Sequence, residues 1–251
     1  MSERAPLPAR LQAPAKLTTR LTVTGVRADG YHLIDAEMVT LDLVDDLELT
    51  EGSGVRFTGS KAPIDLEGGG LVAEALALVG RDVSVTVEKR IPAGAGLGGG
   101  SSDAAAILRW AGWDQPERAV GLGADVPFCL VGGRARVTGI GETIEVLPFR
   151  PMTFTLLTPP IHCSTPAVYR RWDELGGPRH SSGNDLLPAA VSAYPELAGW
   201  IDRFGDAAGV APRLAGSGST LFVEGVVTVP GSAVTHALPS EWTYLPRARR
   251  W

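Results

Sequence analysis

The run from Ile91 to Ile107, IPAGAGLGGGSSDAAAI, constrains the fold of this chain more than any other stretch. Five of the seven residues from Gly94 to Gly100 are glycine, a density that neither a helix interior nor a strand tolerates, so the run must be a turn. Its flanks say which kind. Upstream, VSVTVE (83–88) alternates apolar and polar residues as a half-buried strand does, and downstream SSDAAAILRW begins with hydroxyl and carboxylate cap candidates before an alanine-rich run, which predicts a helix. A strand, a glycine loop and a helix N-terminus in succession point several backbone N–H groups and the positive end of a helix dipole at one spot. That arrangement suits a polyanion, and phosphate first of all.

Gly94, Gly96 and Gly99 also spell the dinucleotide-binding pattern G-x-G-x-x-G. The strand before such a loop should be a near-continuous apolar run, with an acidic residue on a second strand about twenty positions later. VSVTVEKRI is not continuous, and Asp114 follows Trp113 in a short polar turn. No Gly-Lys-Ser/Thr closes the loop and Lys89 precedes the glycines, so it is not a Walker A loop either.

Elsewhere, 17–25 (LTTRLTVTG) and 37–50 (EMVTLDLVDDLELT) read as antiparallel strands and 71–79 (LVAEALALV) as a helix. A hairpin over 134–147 turns at Gly139–Gly141, and a strand starts near Phe154. A helix over 195–209 with strands at SGSTLFVEG and EWTYLP completes the carboxyl-terminal part. The expectation is an α+β fold in two domains, 1–148 and 149–251, divided near Pro148. With 251 residues, 44% of them hydrophobic, the chain can bury a large core, and its net charge of −5 provides no basic face for nucleic acid or anionic lipid. Two isolated cysteines, no apolar leader and no run of eighteen apolar residues fit a cytoplasmic protein that is neither exported nor embedded.

PAGAGLGGGSSDAAA resembles the second motif of the GHMP kinases, and its triple glycine before Ser-Ser-Asp resembles the branch that phosphorylates 4-diphosphocytidyl-2-C-methyl-D-erythritol. APAKLTTRLTVTGVRADGYHLI (13–34), LGADVPFCLVGGRA (122–135), NDL (184–186) and LAGSGSTLF (214–222) resemble other blocks of the same branch, in the same order. The resemblance implies a two-domain α+β fold and transfer of the γ-phosphoryl group of ATP, with Mg²⁺, to the 2-hydroxyl of a small molecule carrying cytidine diphosphate, within the non-mevalonate isoprenoid pathway. It implies Lys16 and Asp125 as the catalytic pair. Lys89, Pro92, Gly94, Gly96, Leu97, Gly98, Gly99, Gly100, Ser101 and Ser102 would hold ATP. Thr18, Tyr31, His32, Asp125, Gly216, Ser217 and Gly218 would meet the substrate, Tyr31 and His32 at the cytosine. No metal ligand is assigned, and a monomer or weak homodimer is expected. Alternatives are a GHMP kinase for homoserine, mevalonate or a sugar, and a non-catalytic nucleotide-binding homologue. Three departures stand out: Thr18 where the family has asparagine, Gly70 in place of another asparagine, and a short segment between Leu108 and Gly121.

From the residues themselves, Asp125 is an acid set among apolar neighbours, which obliges its charge to find a partner, and Lys16 lies in a largely apolar strand. Tyr169 fits either a substrate groove or a core, and His162 and His180 are unassigned.

Overall fold

A computed structural model describes residues 5–59, 61 and 67–241. The amino-terminal half is built on a long antiparallel hairpin, β1 (Ala9–Val26) and β2 (His32–Thr50). Both strands start earlier than their alternating stretches predict. Residues 13–19 of β1 are buried without a break, because both faces of the strand are covered there, and full burial erases the period-two signal. Register shifts fall between Pro14 and Lys16 and between Thr18 and Arg20. Irregularities of this kind re-aim side chains, and these two bracket Lys16 and Thr18.

The far edge of β2 is shared out along its length. Its first part pairs with β5 (Arg134–Gly139), the middle with β10 (Ser232–Leu238), and the last part with β4 (Ser84–Glu88). β3 (Val55–Thr58) lies parallel to β4, joined through α1 (Gly70–Leu78), which Gly70 heads; β6 (Thr143–Val146) closes the expected hairpin with β5. α1 packs on α2 (Gly99–Trp110), and α2 packs in turn on β1 and on the short α3 (Val126–Val131).

The carboxyl-terminal half carries β7 (Thr153–Leu157), α4 (Thr165–Glu174), α5 (Leu187–Ala193), α6 (Glu196–Ala208), β8 (Arg213–Leu214) and β9 (Leu221–Glu224). β10 pairs antiparallel with β7 over residues 232–236 and with β2 at Ala237 and Leu238, so it joins the two sheets. The α+β expectation holds. The strand expected over EWTYLP lies, beyond Glu241, outside the described residues.

A large apolar cluster fills the space between the sheet and helices α1 to α6, with Phe128, Ile107, Leu47 and Phe204 among its buried members. A smaller one joins Leu17 and Leu41 of the hairpin to Phe154, Leu156 and Phe222, and also takes in Ile91 and Leu97 from either end of the glycine loop. Among the described residues no helix is long and apolar enough to cross a membrane.

Candidate active site

The glycine run opens α2 two residues earlier than its composition predicts. The helix cap is Gly98 itself, in the left-handed region at φ 66°, and the serines lie inside the first turn. With no side-chain cap, the leading N–H groups of α2 are left to other acceptors. The loop ahead of them is fixed by its neighbours: Lys16 N donates to Leu97 O at 3.0 Å and Thr220 N to Ala95 O at 3.1 Å, while the Leu97 side chain is buried in the smaller core. A Cβ on Gly96 would stand 2.2 Å from Ala215 O, and one on Gly98 2.7 Å from Lys16 Cγ. These two glycines therefore serve both a positive φ and the close approach of three segments. Pro92, Gly99 and Gly100 complete the turn and the helix start. Ser102 Oγ, fully buried, donates to Pro14 O at 2.6 Å, which leaves Ser101 as the serine at the mouth of the helix.

Behind the loop lies a buried ionic triad. The Lys89 ammonium bonds Asp45 and, at 2.6 Å, Asp103. Asp45 also accepts from Arg90 N at 2.5 Å and Ile91 N at 2.8 Å. Burial opposes the charge on Lys89, but the two carboxylates outweigh it and leave its pKa raised. Burial pushes Asp103 up to about 7, although Lys89 pulls it down. The expected contact of Lys89 with phosphate is thus corrected: its ammonium is enclosed and committed to two carboxylates, and it supports Gly99 from beneath, its Nζ lying 3.2 Å from where a Cβ on Gly99 would be.

On the open side of the loop, Lys16 Nζ meets Asp125 Oδ2 at 3.2 Å and donates to Thr18 Oγ1 at 3.2 Å. Lys16 is a side chain only 6% exposed, whereas Asp125 is 30% exposed, so the expected apolar enclosure of the aspartate is only partial. Asp125 occupies the cap position of α3 but makes no side-chain capping bond, which frees its carboxylate for the lysine. The third glycine loop closes in from the other half. Gly216 and Ser217 line the cleft, and Ser217 Oγ is 2.8 Å from Thr165 Oγ1, whereas Gly218 backs onto Leu214 and Cys163. Asn184 pins this loop by donating to Leu214 O and Gly216 O, both at 2.8 Å.

Lys16, Thr18, Gly96, Asp125, Gly216 and Ser217 line a cleft of about 550 Å³. Tyr31, His32, Tyr169, Arg170 and Asp173 line the same cleft. Tyr31, at the tip of the β1–β2 hairpin, is 60% exposed. His32 is not the exposed histidine its hairpin position suggests: its side chain is 10% exposed, its ring centroid lies 4.6 Å from that of Tyr169, and its Nε2 is 2.8 Å from Asp173 Oδ1. Tyr169 does both things the sequence left open, lining the cleft and packing on the core. Burial, with the Asp125 charge adding to it, raises its pKa and keeps the phenol neutral.

Residues 70–133 match the family of GHMP kinases N terminal domain. A 4-diphosphocytidyl-2-C-methyl-D-erythritol kinase of Paracoccus denitrificans (strain Pd 1222) is 39% identical over 86% of this chain and 87% of its own, and one of Thiobacillus denitrificans (strain ATCC 25259 / T1) is 34% identical over 90% of each. The chain belongs to the 4-diphosphocytidyl-2-C-methyl-D-erythritol kinase family. A crystal structure of 4-(cytidine 5'-diphospho)-2C-methyl-D-erythritol kinase superposes with a TM-score of 0.70 at 29% identity, covering 91% of this chain and 98% of that one. A mevalonate kinase from L. major shares the fold alone, at a TM-score of 0.65 and 11% identity. Asp45, Asp173 and Asn184 also support the site, and no motif marks them for that role. The first two lie in ordinary strand and helix sequence. NDL resembles a family block, but its job of holding the third loop depends on a contact thirty residues away.

Proposed function

We propose that this protein is an ATP-dependent kinase that phosphorylates the 2-hydroxyl of 4-diphosphocytidyl-2-C-methyl-D-erythritol. The observation that carries the reading is the Lys16–Asp125 pair at 3.2 Å, standing in one cleft with a glycine loop on one side and the Tyr31–His32–Tyr169 group on the other. The open N–H groups at the start of α2 take the phosphates of ATP, the aromatic end takes the cytosine, and the substrate hydroxyl lies beside Asp125. Asp125 accepts the hydroxyl proton or orients the hydroxyl for in-line attack. Lys16, held by Thr18 and Asp125, offsets the negative charge that builds on the transferring group. A magnesium ion accompanying ATP would need only one or two protein oxygens, and the Ser101 hydroxyl, which has no hydrogen-bond partner among the described residues, would supply one. When bound, the ion neutralises phosphate charge; every positioning contact above belongs to the chain itself.

The test is to incubate the purified protein with Mg-ATP and, in separate reactions, the cytidylyl substrate, homoserine and mevalonate, following ADP release. Turnover with the cytidylyl substrate alone is expected. Turnover with homoserine or mevalonate instead, or with none of the three, overturns the reading.

A further inference from the structure

Asp173 stands on α4, in the other half of the chain from His32, and its Oδ1 lies 2.8 Å from His32 Nε2. The imidazole face is held at the same time, by Tyr169 at 4.6 Å between centroids and by Trp172, edge-on at 5.6 Å. Neither ring position nor rotation is free. An ionised carboxylate only accepts hydrogen bonds, so the imidazole must present an N–H at Nε2. In a neutral imidazole that leaves Nδ1 as a bare acceptor. Among the described residues His32 Nδ1 has no protein partner and is not enclosed, and His32 lines the cleft. The other charged groups nearby are Arg170 of α4, which lines the cleft, and Arg27 and Asp29 of the hairpin turn, which pair with each other at 2.7 Å.

We infer that Asp173 is a specificity-positioning residue: by holding His32 with its proton on Nε2, it makes Nδ1 an acceptor and so selects a pyrimidine with an exocyclic amino group over one with a carbonyl at that place. An amino group donates to Nδ1, whereas a carbonyl would set two acceptors against each other and leave both unpaired. The inference rests on the reading that a cytidylyl group occupies this end of the cleft.

The experiment titrates the full chain with CDP and with UDP by calorimetry, for the wild type, Asp173→Ala and Asp173→Asn. It also reads the His32 tautomer from ¹⁵N NMR, with His32→Gln used to assign the signal. The wild type should prefer CDP and carry its proton on Nε2. In Asp173→Ala that preference should shrink by about tenfold, the value of one lost polar match, and the His32 signals should report a mixture of tautomers. Asp173→Asn should fall between, because its amide oxygen still accepts. Affinity for ATP should stay as it is. If Asp173 merely clasps the hairpin to α4, CDP and UDP weaken equally, and that result overturns the inference. So does an unchanged preference in both variants, or a wild-type His32 protonated at Nδ1. Wild-type turnover of the cytidylyl substrate with any of those results sinks this inference alone. A wild type that binds neither nucleotide sinks it together with the proposed function.

Discussion

Asp125 is reached by solvent on one side and by Lys16 on the other, which is where a group must be to meet a substrate hydroxyl. Asp125→Asn keeps the size and most hydrogen bonds but removes the proton acceptor, so turnover should fall by roughly 10²–10⁴-fold with ATP affinity nearly unchanged. Lys16→Met should also lower turnover. Because the two act as a unit, the double variant should lose much less than the product of the single losses, and steady-state kinetics on the three proteins checks this. A loss of less than tenfold in Asp125→Asn would place that residue in an orienting role, since phosphoryl transfer through a loose transition state leans on positioning. In the same cleft, Tyr31 is largely exposed with no packing duty to explain it. Tyr31→Ala should raise the Michaelis constant for the cytidylyl substrate and not that for ATP, by the equivalent of about 1–3 kcal/mol if its ring stacks on a base. Equal effects on both substrates would return Tyr31 to a structural role.

The elements around the glycine loop are tied together by charge as well as by apolar packing. Lys89 directly follows β4, Asp45 belongs to β2 and Asp103 to α2, so one ammonium fastens these three segments behind the loop. Removing one member strands buried charge. Lys89→Met should therefore cost about 3–5 kcal/mol in denaturant unfolding, more than a surface lysine does. Gly98→Ala places a Cβ where φ is 66° and Lys16 Cγ already stands. Left-handed backbone should cost about 1–2 kcal/mol of stability, and the push on Lys16 should lower turnover beyond that; thermal unfolding and kinetics on the same protein separate the two. The loop, its strand and its helix were legible in the sequence because glycine density and period are local properties, and the Lys16–Asp125 pairing followed from motifs. The triad was not legible, since Asp45 and Asp103 look like solvated acids until β2 and α2 are brought together. The same holds for the start of β1, where covering on both faces removes the alternation, and for the cap of α2, which composition assigns to serine and the backbone assigns to Gly98.

At the scale of the whole molecule the two cysteines report on integrity. Cys129 and Cys163 are buried, and burial pushes their thiols up to about 12 and about 11. Neither should react with a thiol reagent at pH 8 in the folded protein, and labelling should follow the unfolding transition; fast labelling of the native chain would contradict the packing. β10 joins the two sheets by pairing with β7 and β2 within one strand, and it is the last strand described. The third glycine loop that faces Lys16 also comes late, at Gly216 and Ser217. During synthesis the glycine run at 94–102 therefore leaves the ribosome long before the groups that face it exist. For that interval the chain carries the glycine loop without the cleft that faces it, and the two sheets are joined only when β10 arrives. Nascent chains stalled before residue 232 should accordingly be substrates for chaperones and not yet catalysts.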